Sequence, residues 1–130
     1  MTRNTSLYWG TALFALYLLF QACQSEQAIR TAQYAVNGQK LFTTHCQNCH
    51  GAKGEGLGDL YPPLTDSAFL IGHRERLPCI VKNGGNEMPP NPQLAPIEIA
   101  YVLTYIGNSF GNELGMVTLE EVQDALASCP

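Results

Sequence analysis

Cys46-Gln47-Asn48-Cys49-His50 constrains the rest of the chain more than any other stretch. A Cys-x-x-Cys-His run is the spacing of a c-type haem attachment site. Two thiols three positions apart add to the two vinyl groups along one edge of a porphyrin. The adjacent His50 then supplies an imidazole nitrogen to the iron as proximal ligand. A Cys-x-x-Cys redox pair is the first rival, but it needs a helix start within a βαβ pattern, and no run of strands is present. Zinc is the second, and it would need another ligand pair at similar spacing, whereas the remaining cysteines stand singly.

Outward from this motif, the preceding residues Tyr34, Gly38, Leu41, Phe42 and His45 recur on one face of a helix that runs into Cys46. Glycine inside a helix costs about 1 kcal/mol relative to alanine, which makes sense at Gly38 if another helix crosses closely above it. After His50 comes a glycine-rich loop, Gly51 to Gly58, without the Gly-Lys-Ser/Thr of a phosphate loop. It fits close passage of backbone around a haem edge. Tyr61-Pro62-Pro63-Leu64 is a stiff extended turn, and its backbone can offer a carbonyl to the second ring nitrogen of His50.

Farther along, Ala68-Phe69-Leu70-Ile71 and Arg74 to Val81 read as two short helical pieces, with Gly72 between them and Pro78 near the start of the second. Asn83 to Pro92 is dominated by glycine and proline and cannot be regular structure. Methionine usually fills cores, so Met88 between that glycine pair and Pro89-Pro90 is the candidate sixth iron ligand, its thioether aimed by stiff flanking chain. Met116 is the competitor, as a packing residue before a capped helix. His45 and His73 read as solvent-facing helix residues, weaker than Met88 as ligands. Pro96 suits the first position of a helix carrying the stripe Ile99, Val102, Leu103 and Ile106, ending near Gly107-Asn108. Thr118 with Glu121 forms a capping box for a last helix with Leu119, Val122 and Leu126 inward.

At the other end, Arg3 precedes the apolar run Thr11 to Phe20, followed by Gln21-Ala22-Cys23. These are the parts of an export signal over residues 1–22. The run is shorter than the roughly 20 residues of a spanning helix, so a permanent membrane anchor is the weaker alternative. Ala22-Cys23 resembles a bacterial lipobox, with Phe20 and Gln21 departing from its usual pattern. Lipidation of Cys23 follows, with an ordinary signal and an incidental cysteine as the other possibility. Residues 24–33 are polar and read as a tether, which leaves 34–130 as the domain. Cleavage before Cys23 removes only Arg3 among the charged residues and makes the chain one unit more negative than −4. That balance excludes nucleic acid and favours redox proteins with basic docking patches.

Together these residues resemble a bacterial class I mono-haem cytochrome c, from about Tyr34 to Phe110. The resemblance rests on Cys46-x-x-Cys49-His50, Pro62-x-Leu64, the Met88-Pro89-Pro90 loop, and the Gly38/Phe42 helix opposite Val102/Tyr105. It implies an all-α fold with crossed N- and C-terminal helices around one covalent haem c, with His50 and Met88 as axial ligands and the Pro62 carbonyl bonded to His50. An extra C-terminal helix extends beyond the match. The family often places a tryptophan near a haem propionate, whereas Trp9, the one tryptophan, lies in the signal. Of the five cysteines, one suits lipid and two suit haem, and in an exported domain Cys79 and Cys129 are then expected to pair. Two free thiols, or pairing of Cys129 with another chain, are the alternatives.

The expected function is electron transfer by haem iron cycling between Fe(III) and Fe(II), in the periplasm or at the outer face of a membrane. No acid/base pair or activated nucleophile marks a small-molecule substrate site, so the chain reads as a carrier rather than an enzyme. Two alternatives stay open: a cytochrome c subunit of a larger periplasmic oxidoreductase, and a peroxidase-like haem enzyme if Met88 does not bind.

Overall fold

The computed structural model describes residues 5–58, 60–85 and 87–130, with side chains in the leading helix described at 8–19 and from 26 onward. In chain order the helices are α1 (Thr5–His45), α2 (Gln47–His50), α3 (Ser67–Gly72), α4 (Leu77–Asn83), α5 (Pro96–Gly107) and α6 (Leu119–Ala127). Among the described residues there is no strand. Two isolated antiparallel bridges, Leu57 with Tyr61 and Gly85 with Met88, are the only sheet-like pairings there. The fold is all-α, as the sequence predicts.

The chain divides into two units, Met1–Arg30 and Thr31–Pro130. In the first, described residues of α1 leave Trp9, Leu13 and Phe14 exposed. Among the described residues no helix is long and apolar enough to cross a membrane. The side chain of Cys23, the expected lipidation site, lies outside the described residues. Residues 24–33, read as a tether, lie within α1. They contain neither glycine nor proline and are rich in alanine, glutamine, glutamate and arginine, all compatible with a helix.

In the second unit, α5 forms the centre. Ile99, Ala100, Val102, Leu103, Thr104 and Ile106 are all buried. The helix starts at Pro96, and the Glu98 carboxylate accepts the Ala95 N–H at 2.8 Å, satisfying one otherwise unpaired donor at the helix start. Residues of α1 cross it at Gly38. A Cβ there would fall inside the van der Waals shell of the Tyr101 carbonyl and against Tyr105. On either side of the crossing, Tyr34 meets Tyr101 edge-on at 4.7 Å, and Phe42 meets Tyr105 at 5.3 Å and Phe110 at 5.4 Å. Such tilted and edge-on pairs are favoured by the ring quadrupoles.

The two short helices fall where glycine and proline divide them. Asp66 caps α3 by accepting the Phe69 N–H, and Pro78 occupies the first turn of α4. Only Leu70 of the apolar α3 cluster is buried; Phe69 and Ile71 are exposed, and Phe69 stacks on His73 at 4.1 Å. The C-terminal extension belongs to the same core, with Val117 and Val122 buried. Thr104, fully buried in α5, donates its hydroxyl to the Val117 carbonyl and accepts the Val117 N–H. Arg74 donates to the carbonyls of Leu114 and Met116 and pairs with Glu121. Cys79 in α4 and Cys129 after α6 are joined by a disulfide.

The crossing gives a direct test. Gly38→Val forces α1 away from the α5 main chain and is expected to lower unfolding free energy by about 2–3 kcal/mol, the scale of overpacked cores, as read by urea denaturation.

Candidate metal centre

The Cys46–His50 segment is a continuation of α1. Cys46 donates its N–H to the Phe42 carbonyl at 2.9 Å, and the Cys46 carbonyl accepts from Cys49 and His50 at 3.2 and 3.0 Å. Because Phe42 is almost wholly buried in the aromatic crossing, the position of both thiols and the imidazole follows from that packing. Cys46 and Cys49 are free and half-buried. Burial, followed by the nearby Cys49 thiolate charge, pushes the Cys46 thiol up to about 11. Its neutral form is therefore the one held at neutral pH.

His50 is 9% exposed, and its Nδ1 lies 3.1 Å from the Pro62 carbonyl. A carbonyl oxygen only accepts, so Nδ1 carries the proton and donates, leaving the Nε2 lone pair available as a metal ligand. The Pro62 segment is itself secured from three directions. The Gly56 N–H donates to the His50 carbonyl at 2.8 Å, the Leu57 N–H to the Tyr61 carbonyl at 2.8 Å, and the Leu64 N–H to the Gly54 carbonyl at 2.8 Å. Gly56 has φ +67°, and a Cβ there would collide with the Tyr61–Pro62 backbone, so the loop needs glycine at this point.

Asn112 completes this frame and was not singled out by sequence pattern. It is 3% exposed. Its amide donates to the Leu64 carbonyl at 2.8 Å and the Ile106 carbonyl at 3.0 Å, while its Oδ1 accepts from Ser67 at 2.7 Å. One side chain thus ties the Pro62 turn to the end of α5 and the start of α3. In the sequence it is a lone asparagine after glycine, the ordinary sign of a solvated turn.

Met88 lies in the irregular connection between α4 and α5, half-buried and packed against the core cluster, as Cys46 and Leu64 also are. Its N–H and carbonyl both pair with Gly85, at 2.8 and 3.1 Å. Its competitor Met116 is half-buried, with its carbonyl taken by Arg74. His45 is exposed at the end of α1. The Nδ1 of His73 lies 2.9 Å from the Phe69 carbonyl, and the ring is committed to the stack on Phe69.

The donor set fits a covalently attached haem better than a bare ion. Among the described residues no three His, Cys, Asp or Glu side chains are grouped to hold one metal ion. Two free thiols on one turn and an oriented imidazole beside them are instead the groups that would hold a c-type haem, with the Met88 thioether as a candidate second axial ligand.

Comparison with known proteins agrees with this chemistry. Residues 33–106, more than half of the chain, match the family described as cytochrome C oxidase, cbb3-type, subunit III. The chain belongs to that family. The Cbb3-type cytochrome c oxidase subunit CcoP of Rubrivivax gelatinosus is 32% identical over 77 residues, covering 58% of this chain and 25% of the relative. The chain therefore spans about a quarter of the length of that relative.

Two outcomes test this geometry. Asn112→Leu removes the donor to the half-buried Leu64 carbonyl and the acceptor of the Ser67 hydroxyl, while the Ile106 carbonyl keeps the Asn108 and Ser109 N–H groups. It should cost about 2 kcal/mol of stability, since an unsatisfied buried group costs roughly 1–3 kcal/mol, measured by urea denaturation. In haem-free protein, alkylation of Cys46 by iodoacetamide should be slow at pH 7 and accelerate as pH approaches the raised value of about 11, followed by mass spectrometry.

Proposed function

We propose that this chain carries electrons through one covalently held haem c, as the cytochrome component of a cbb3-type cytochrome c oxidase assembly. Cys46 and Cys49 form the thioether links, while His50 Nε2 and the Met88 sulfur serve as axial ligands. The Pro62 carbonyl fixes the tautomer and ring plane of His50, as carbonyl partners of ligating histidines do elsewhere. The observation that carries the reading is the Nδ1 contact of His50 with Pro62 on the same turn as two free thiols. When bound, the haem supplies a one-electron Fe(III)/Fe(II) couple, and a thioether ligand favours the ferrous state.

The residues around the site serve positioning. The aromatic crossing of Phe42, Tyr105 and Phe110 packs three apolar rings together one turn before Cys46. A low-polarity, pre-packed environment reduces reorganisation when charge changes. Family membership and the named relative favour work within an oxidase assembly over life as a freely diffusing carrier. The export signal over 1–22 and lipidation of Cys23 would put the domain at the outer face of a membrane, beside such an assembly. Its acidic balance suits partners with basic docking patches.

The tests are spectroscopic and biochemical. Purified protein should keep its haem through denaturing electrophoresis, and Cys46→Ala with Cys49→Ala should lose it. Met88→Ala should abolish the far-red thioether-to-iron charge-transfer band of the oxidised protein. Oxidase subunits should accompany the protein when it is isolated from native membranes in mild detergent; isolation without them would leave a stand-alone carrier.

A further inference from the structure

The connection between α4 and α5 has a shortage of hydrogen-bond donors. Pro89, Pro90 and Pro92 have no N–H, so backbone alone pairs few of the carbonyls there. Two side chains make up the difference. Lys82, in the last turn of α4, directs its ammonium to the Pro92 carbonyl at 2.8 Å and the Leu94 carbonyl at 2.7 Å. Asn91, 9% exposed, donates from Nδ2 to the Val81 carbonyl at 3.1 Å and the Pro89 carbonyl at 3.4 Å. Its own N–H goes to the Lys82 carbonyl at 3.1 Å.

These bonds secure the chain that follows Met88. Upstream, the Gly85 bridge holds Met88 by both of its backbone groups. Immediately downstream, Pro89 is held through its carbonyl by Asn91, and Asn91 is held to α4 at Val81 and Lys82. Beyond that, Lys82 clamps the segment from Pro92 to the buried Leu94. The thioether is thus carried on chain whose two sides return to the same turn of α4. A flexible thioether on an untethered loop would leave the iron for part of the time, and an incoming ligand would compete with it in proportion to that fraction.

The geometry points to Lys82 and Asn91 as positioning residues for Met88, holding its sulfur at the iron by donating the hydrogen bonds that the proline-rich loop lacks. The inference rests on the reading of Met88 as an axial ligand. Neither side chain touches the iron; each acts through the loop.

The experiment uses full-chain, haem-loaded protein and two readouts: the far-red thioether-to-iron band of the oxidised form, and carbon monoxide affinity of the reduced form. Lys82→Met keeps the aliphatic stem and removes the donors. It is expected to weaken the band and to tighten carbon monoxide binding roughly tenfold, because a hydrogen bond to a charged group is being lost from the ligated state alone. Lys82→Arg, which keeps a cationic donor, should restore both. A haem-loaded Lys82→Met protein with the wild-type band and wild-type carbon monoxide affinity overturns the inference, even if its thermal midpoint falls, since lowered stability alone is what a merely structural lysine would give. Should Lys82→Met fail to load haem, Lys82→Gln decides: an intermediate carbon monoxide affinity supports the inference and an unchanged one overturns it. Met88→Ala in parallel separates the two claims. If it leaves the band intact, the ligand reading fails; if it abolishes the band while the Lys82 variants do not disturb it, only the positioning role fails.

Discussion

Because Gly38 carries no side chain, α1 lies against the main chain of α5 at Tyr101, and the Cys46–His50 segment takes its position from that contact. The rings of Phe42, Tyr105 and Phe110 close around the crossing, and the next turn of α1 passes its hydrogen bonds directly into Cys46. Packing at one point is therefore converted into placement of two thiols and an imidazole a few residues later. The interior of α5 has little freedom to respond, since most of its side chains are buried and close-packed interiors transmit strain rather than absorb it.

The remaining candidate groups stand on two proline-rich turns, one carrying Pro62 and the other Met88. Both have the same physical difficulty, a rigid backbone poor in N–H donors. Both are held by an asparagine that is nearly buried: Asn112 on the Leu64 carbonyl and Asn91 on the Pro89 carbonyl. Stiffness comes from proline, while location comes from an amide anchored elsewhere in the fold. The C-terminal extension takes part in this through Thr104 and Arg74, which bind carbonyls of residues 114–117 and make the last helix continuous with the core.

Much of this was legible in the sequence where local chemistry decides the outcome. The Thr118 cap with Glu121, the Pro96 start and the apolar stripe of α5 each depend on neighbouring residues, and each forms at the expected place. The Gly38 crossing was legible because an expensive glycine on an apolar helix face needs a reason. Asn112, Asn91, Lys82 and Thr104 were not legible, because their value depends on partners brought close by tertiary folding. Asn112 and Leu64 are separated by 48 residues. In the sequence, residues 24–33 read only as a polar tether, because they lack an apolar face from which a helix could be read, although their residue types are compatible with one.

The Cys79–Cys129 bond divides the molecule by topology as well as by stability. It closes a covalent ring over a separation of 50 residues, and that ring contains Met88, α5 and the extension but not the Cys46–His50 segment. The two groups proposed to face the iron thus sit on differently connected pieces of chain, one on a closed loop and one on an open arm. A single backbone cut anywhere between Cys79 and Cys129 leaves one covalently joined molecule, whereas a cut between His50 and Cys79 releases the arm that bears the imidazole. The glycine- and proline-rich connection of residues 51–66, with its exposed Leu57 and Leu60, lies in sequence outside that ring, so its hydrogen bonds rather than a covalent closure hold the imidazole arm to the rest.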